Sequence, residues 1–301
     1  MKIQAIPHLI SKNSSTGKSV YTFILRYPRI ILPEFLTHRV MSRNTASARA
    51  IPAKKYRSKA TFTPSYIGAN QKGMAAGVEL QGWRRSLALA GWEIARLGAL
   101  VGHHIMEFSG AHKQVTNRLL DSFVWIEQIA TFTDYENFLT LRNHEKAEPH
   151  FQELTKEIAF HINQSKLLLG DVKKSETPYM DYSTPEGERC RVQILKPHEW
   201  HLPFVWKQPT SNGGAQQFAL DNALVDSTAM CARVSYFLPD GSPPKWEDQK
   251  RIHDDLVGSD PKHMSPAEHP CKALSNDVRC GNFSGGWKQY RQYIEEGDLE
   301  K

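Results

Sequence analysis

The stretch Thr37-His38-Arg39-Val40-Met41-Ser42-Arg43-Asn44-Thr45-Ala46-Ser47-Ala48-Arg49 decides how this chain is read. It sets a His-Arg pair ahead of a Ser-x-Asn-x-x-Ser-x-Arg run, directly behind an apolar, strand-like segment at residues 21–32. Arginine, serine and asparagine supply forked or short donors that suit phosphate and carboxylate oxygens. A histidine beside them can bind or orient a phosphate or a polar ring. On chemistry alone the same residues would also make a solvated basic turn.

Outward from that run, the flanks read as sheet and helix. Residues 1–10 alternate in part and predict a strand. Residues 12–18 are a turn-rich break, so residues 21–32 should pair back as a hairpin. Pro33 can open a helix at its first turn, with residues 34–40 following. His38 and Arg39 would then sit at a helix end, where the chain turns out of the core. Residues 75–108 predict a long helix, because Val78, Leu80, Trp83, Leu87, Ile94, Leu97, Val101 and Ile105 recur largely at steps of three and four. Its glycines weaken it but allow close helix approach. Residues 121–132 are β-favouring, Asp134 can cap a short helix reaching Arg142, and residues 148–169 are amphipathic.

Residues 170–214 are rich in Pro, Gly, Ser and Lys and predict an irregular surface insertion. Helices return over 221–234 and 246–257, and the tail at 281–293 is rich in glycine and aromatics. The expectation is one domain over residues 1–301, with 1–169 and 215–301 as its core. The fold class is α/β (α+β), an antiparallel sheet flanked by long helices.

Composition narrows the function. The chain is 40% hydrophobic and 23% charged, ordinary for a globular protein. No apolar run is long enough to span a bilayer, and no charged-then-apolar export pattern opens the chain, so a cytoplasmic, membrane-free protein is expected. The four cysteines show no CxxC pair and read as reduced thiols. A net charge of +6 and a pI near 9.0 suit an anionic partner. With no long basic run and no aromatic-interleaved RNA motif, a phosphorylated small molecule fits as well as a polymer.

The opening run resembles the signature of the flavin-dependent thymidylate synthases: Arg-His-Arg, seven residues, Ser, one residue, Arg. Here His38-Arg39, Ser47 and Arg49 match, and Thr37 stands for the first Arg. Three further blocks are similar to the same family: Asn137-Phe138-Leu139-Thr140-Leu141-Arg142 with Ala147-Glu148, Cys231-Ala232-Arg233-Val234-Ser235-Tyr236, and His263-Met264-Ser265-Pro266-Ala267-Glu268-His269. The last two ordinarily precede the His-Arg strand, and here they follow it. The chain therefore resembles a circularly permuted, phage-type member, which termini lying close together would permit. That order predicts His269 near the start of the strand beginning at Tyr21.

The resemblance implies methylation of dUMP to dTMP, with methylenetetrahydrofolate as one-carbon donor, NADPH as reductant and FAD as cofactor. It implies a homotetramer whose sites draw on several subunits, small nucleotide and folate partners without stable nucleic acid, and host cytoplasm if phage-encoded. Arg142, Ser47 and Arg49 would be catalytic. Glu34, Ser47, Ala48, Arg49, Arg118 and Arg142 would hold dUMP. His38, Arg39, Asn44, Asn137, Ser235, His263, Ser265 and Glu268 would line FAD. No metal is implied. Ser265-Pro266-x-Glu268 also has the form of a helix-opening capping box.

Departures from the family's pattern are Thr37 for Arg, Thr45 for Glu, Ala50 for Tyr, Glu34 for Gln and Lys146 for His. The segment 286–291 is expected to return some lost contacts. Thr45 and Ala50 motivate an alternative product, hydroxymethylated dUMP or dCMP for modified phage DNA. Other readings are a cysteine-dependent enzyme using Cys271, a basic nucleic-acid binder, and a metal site at His103-His104 or His198-x-x-His201.

Overall fold

The computed structural model describes residues 1–175, 179–184, 187–205, 214–233 and 245–297, the last side chains of 214–218 aside. Apolar side chains at Ala5, Leu9, Val20, Tyr21, Phe23 and Leu25 form the expected hairpin from β1 (Gln4–Asn13) and β2 (Ser19–Pro28), with a bulge between Pro7 and Leu9. A 3-10 turn (Arg29–Ile31) leads into α1 (Leu32–Phe35), which carries Pro33 in its first turn but stops after four residues. The chain then enters β3 (Met41–Thr45), an edge strand where a helix end and turn were expected.

After the short α2 (Ala53–Arg57) comes the long α3 (Gly82–Phe108), which begins later than the periodicity suggests because Gly82 enters with φ +55°. Then α4 (Lys113–Thr116) and a 3-10 segment (Asn117–Phe123) lead to β4 (Trp125–Phe132), α5 (Glu136–Arg142) and α6 (Pro149–Val172). Glu148 caps α6 by accepting from the Phe151 amide at 2.8 Å. Asp134 does not cap α5: Tyr135 is its N-cap, and Asp134 accepts instead from Ser284 and Arg279.

The segment expected to be irregular is ordered sheet: β5 (Tyr179–Ser183), β6 (Arg189–Leu195) and β7 (Trp200–His201). β6 lies parallel to β1, so the main sheet is mixed rather than antiparallel, with order β3-β4-β2-β1-β6-β5. Polar residues in β6 hid it. Arg191 is buried against Asp181 at 2.9 Å, and Gln193 against Ser11 at 2.9 Å. α7 (Gly214–Ala232) and α8 (Trp246–Val257) follow. A small antiparallel sheet joins β7 to β8 (Cys271–Ala273) and β9 (Trp287–Gln289), and α9 (Tyr290–Glu296) comes last. No helix among the described residues is long and apolar enough to cross a membrane.

The core lies between the main sheet and α6, where Phe151, Leu154, Ile158 and Ile162 meet β-strand residues such as Phe23 and Phe132. The tail closes over the hairpin: Asn13 donates to the carbonyls of Leu274 (2.9 Å) and Gly286 (3.0 Å), and Thr16 to that of Gly285 (2.7 Å).

Candidate functional site

β3 is the spine of the site, because it pairs in register with β4 from Met41–Phe132 to Thr45–Gln128. Its lead-in holds the first cluster. Arg142, from the last turn of α5, donates through Nε to His38 Nε2 (2.9 Å), and through its two Nη atoms to Glu34 Oε2 and Thr37 Oγ1 (3.2 Å each). Its guanidinium lies over the Phe151 ring at 4.9 Å. This threefold grip fixes the plane of the guanidinium. His38 does not turn out of the core as expected: it is buried edge-on against Phe138 at 4.9 Å. Burial, aided by the positive charges of Arg142 and Arg43, lowers its pKa to about 4, so it is neutral and accepts the Arg142 proton. Burial raises Glu34 above the usual carboxylate range, against the opposing pull of Arg142.

Past β3 the chain turns at Ser47-Ala48-Arg49, where the Arg49 amide donates to Ser47 Oγ at 3.3 Å. Asn117 clamps this turn by donating to the carbonyls of Ala48 (2.8 Å) and Ile51 (3.0 Å). The clamp leaves Ala48 buried and throws Arg49 outward. Arg49 lines an open cleft of about 510 Å³ with Gln114, Val115 and Arg118. Both arginines are exposed and neither guanidinium has an ion pair among the described residues. This is a cationic cleft suited to a phosphate.

The other blocks reach β3 from far along the chain. Asn44 donates to the carbonyl of Cys231 at 3.1 Å. Gln289 binds both Ser42 Oγ (2.8 Å) and the Glu268 carbonyl (2.7 Å), seating the Ser265–Glu268 turn beside the strand. Arg43 donates to the Phe35 carbonyl at 3.0 Å and feels both His38 and Glu268 electrostatically. Arg291 takes the Glu268 carboxylate at 2.6 Å, so the tail does contribute contacts. Ser265 and Glu268 do not form a capping box: Met264 precedes a 3-10 turn without a side-chain cap. His269 binds Thr131, which in turn binds Thr22, each at 2.8 Å, so it does lie near the start of β2.

The named residues therefore gather in two groups rather than one. Glu34, Thr37, His38 and Arg142 sit before β3, and Ser47, Ala48, Arg49 and Arg118 after it. Five strand residues between them span roughly 16 Å. One nucleotide cannot touch both groups of a single chain. Arg39, Asn137, His263 and Ser265 are exposed near the first group's segments. Ser235 lies outside the described residues. Arg43, Asn117, Gln289 and Arg291 escaped sequence reading, and only the density of polar residues in the 286–291 tail hinted at two of them.

The donor chemistry fits FAD in part. Exposed Arg39, Asn137 and Ser265 are available to phosphate and hydroxyl oxygens, whereas Asn44 and Glu268 already have internal partners. Other readings fare worse. Cys271 is fully buried and its thiol is pushed well above the ordinary range, the reverse of an activated nucleophile. His103 is held by Asn117 and Arg57, and His201 by Ser11 and Thr22.

No family model and no curated protein matches the sequence. Among solved structures, the chain is similar to two crystal structures of a UMP/dUMP methylase, PolB from Streptomyces cacaoi. The one bound with 5-Br UMP is 16% identical over 48% of this chain and 68% of that chain, with a TM-score of 0.41. The one bound with 5-Br dUMP is 17% identical over 48% and 67%, with a TM-score of 0.42.

Proposed function

We propose that this protein is a cytoplasmic, FAD-dependent enzyme that methylates dUMP to dTMP, with methylenetetrahydrofolate as carbon donor and NADPH as reductant. The observation that carries the reading is convergence. Four blocks spread from residue 37 to residue 269 meet along one five-residue strand, and the tail bonds two of them together.

Arg49 and Arg118 would hold the nucleotide phosphate in their cleft, with Ser47 beside it. Arg142, fixed by His38, Glu34 and Thr37, would lie against the pyrimidine and polarise it. Because His38 is neutral, it orients Arg142 without adding a competing charge. Arg39, Asn137, His263 and Ser265 would hold FAD, which when bound supplies the hydride. The separation of the two groups along β3 means that a complete site would combine residues from more than one chain, as a homotetramer provides.

Thr45 and Ala50 favour a second reading, hydroxymethylation of dUMP or dCMP. Mass spectrometry of the nucleotide formed from dUMP, methylenetetrahydrofolate, FAD and NADPH separates the two. A gain of a methyl group that requires FAD is the expected result. A hydroxymethyl product would establish the second reading, and no product together with no flavin binding would sink both.

A further inference from the structure

The two faces of α3 differ sharply. One is docked: Trp92 donates to the Phe62 carbonyl and Arg96 to the Ala60 carbonyl, both at 3.0 Å, while His103 is buried against Asn117 at 3.1 Å. The other face is apolar and uncovered by any described residue. Leu87, Ile94, Val101 and Phe108 recur at seven-residue steps, as do Trp83, Ala90 and Leu97. Their exposure is that of a surface with no partner: Trp83 72%, Ile94 71%, Phe108 96%. Exposed apolar surface on this scale marks a contact site.

The pattern specifies what covers it. A seven-residue apolar repeat is the seam of a helix that pairs with another helix. Gly91 and Gly98 flank Ile94 one heptad apart, and a Cβ at either would meet nothing within 4 Å, so a second backbone can approach closely there. The strip is about 40 Å long and about 10 Å wide. With exposed Val78, Val115 and Leu119 beside it, it approaches the about 800 Å² per partner of a stable interface. An identical helix is self-complementary about a two-fold axis, and opposed dipoles favour the antiparallel arrangement.

We propose that α3 pairs antiparallel with α3 of a second copy of this chain, crossing near Ile94. Such a pair has a consequence for the cleft. Leu119 lies against Gly102, 3.6 Å from where its Cβ would be, so the cleft of Arg49, Val115 and Arg118 adjoins the C-terminal half of α3. Antiparallel pairing brings the N-terminal end of the partner helix to that half. Arg84, exposed and without an ion pair among the described residues, would then add a third cation to the cleft from the second copy. This last step rests on the phosphate reading of the cleft, and the pairing itself does not.

Sedimentation velocity of the full chain tests the pairing. The wild-type mass should be an even multiple of the chain, and Ile94→Glu/Val101→Glu should halve it with far-UV circular dichroism unchanged. Should that variant misfold, Ile94→Cys gives an independent reading. Mild oxidation should link it to itself, whereas Trp83→Cys should not self-link. A monomeric wild type, an unchanged mass in the folded double variant, or equal self-linking of Trp83→Cys would overturn the proposal. Arg84→Ala should keep its mass while binding dUMP about tenfold more weakly, the loss of one charged contact. Unchanged dUMP affinity would overturn the shared cleft, while the mass measurements decide the pairing.

Discussion

Along β3, Arg39, Arg49 and Arg118 hold their charges in solvent without an ion pair among the described residues, while a few ångströms further into the sheet a polar chain is wholly enclosed. That chain runs from Gln193 to Ser11, His201, Thr22, Thr131 and His269, with links of 2.7 to 2.9 Å. Both regions are polar, and both join segments far apart in sequence. The enclosed chain spends its donors and acceptors on itself and serves the fold. The β3 flanks keep donors free, and free donors are what a ligand needs. A polar residue's role is thus set by whether its bonding capacity is already used.

Substitutions should separate the regions cleanly. The largest effect on stability is expected from His201→Ala, which opens a cavity and strips partners from Ser11 and Thr22. A loss of about 3–4 kcal/mol in urea unfolding is expected. A loss under about 1 kcal/mol would break the comparison.

Acid comes next. Burial lowers His8 to about 4 and His269 to about 3, and lowers His201 well below the ordinary value. A folded-state pKa below the unfolded 6.5 means that the unfolded chain takes up protons first. The stability is therefore fully present above about pH 6.5 and is lost as pH falls toward 4. His8 alone should account for on the order of 3 kcal/mol. Thermal unfolding across that window should show the drop, and a flat profile would contradict the enclosed chain.

Thr131→Val keeps the shape but removes the link between Thr22 and His269. It should cost about 1–2 kcal/mol. Arg49→Ala should cost under about 0.5 kcal/mol of stability, because the side chain is exposed and unpaired, yet weaken dUMP binding at least about tenfold. Calorimetry on the folded variant sharpens the comparison: stability lost together with affinity would place Arg49 in the wrong region.

What could be read in advance followed the same division. The hairpin, α3, α6 and α8 carry apolar periodicity long enough to see, and their expected positions hold to within a few residues apart from the late start of α3. β3 was taken for a helix end because Ser42, Arg43 and Asn44 are polar, and their partners on Gln289, Phe35 and Cys231 are remote in sequence. β6 was missed because Arg191 and Gln193 are buried only by virtue of Asp181 and Ser11. β7, β8 and β9 are two or three residues long, too short for any period. The motif residues were legible one by one, but their split into two groups depends on the length and register of β3.

The clasp between the tail and the hairpin sets a schedule for synthesis. Asn13 and Thr16 emerge early from the ribosome, while their partners at Leu274, Gly285 and Gly286 follow some 260 to 270 positions later. At about 5–20 residues per second, the hairpin waits on the order of tens of seconds for its last contacts. During translation the first strands made are therefore the last to be closed, and a nascent chain stalled before residue 274 presents them to chaperones unfinished.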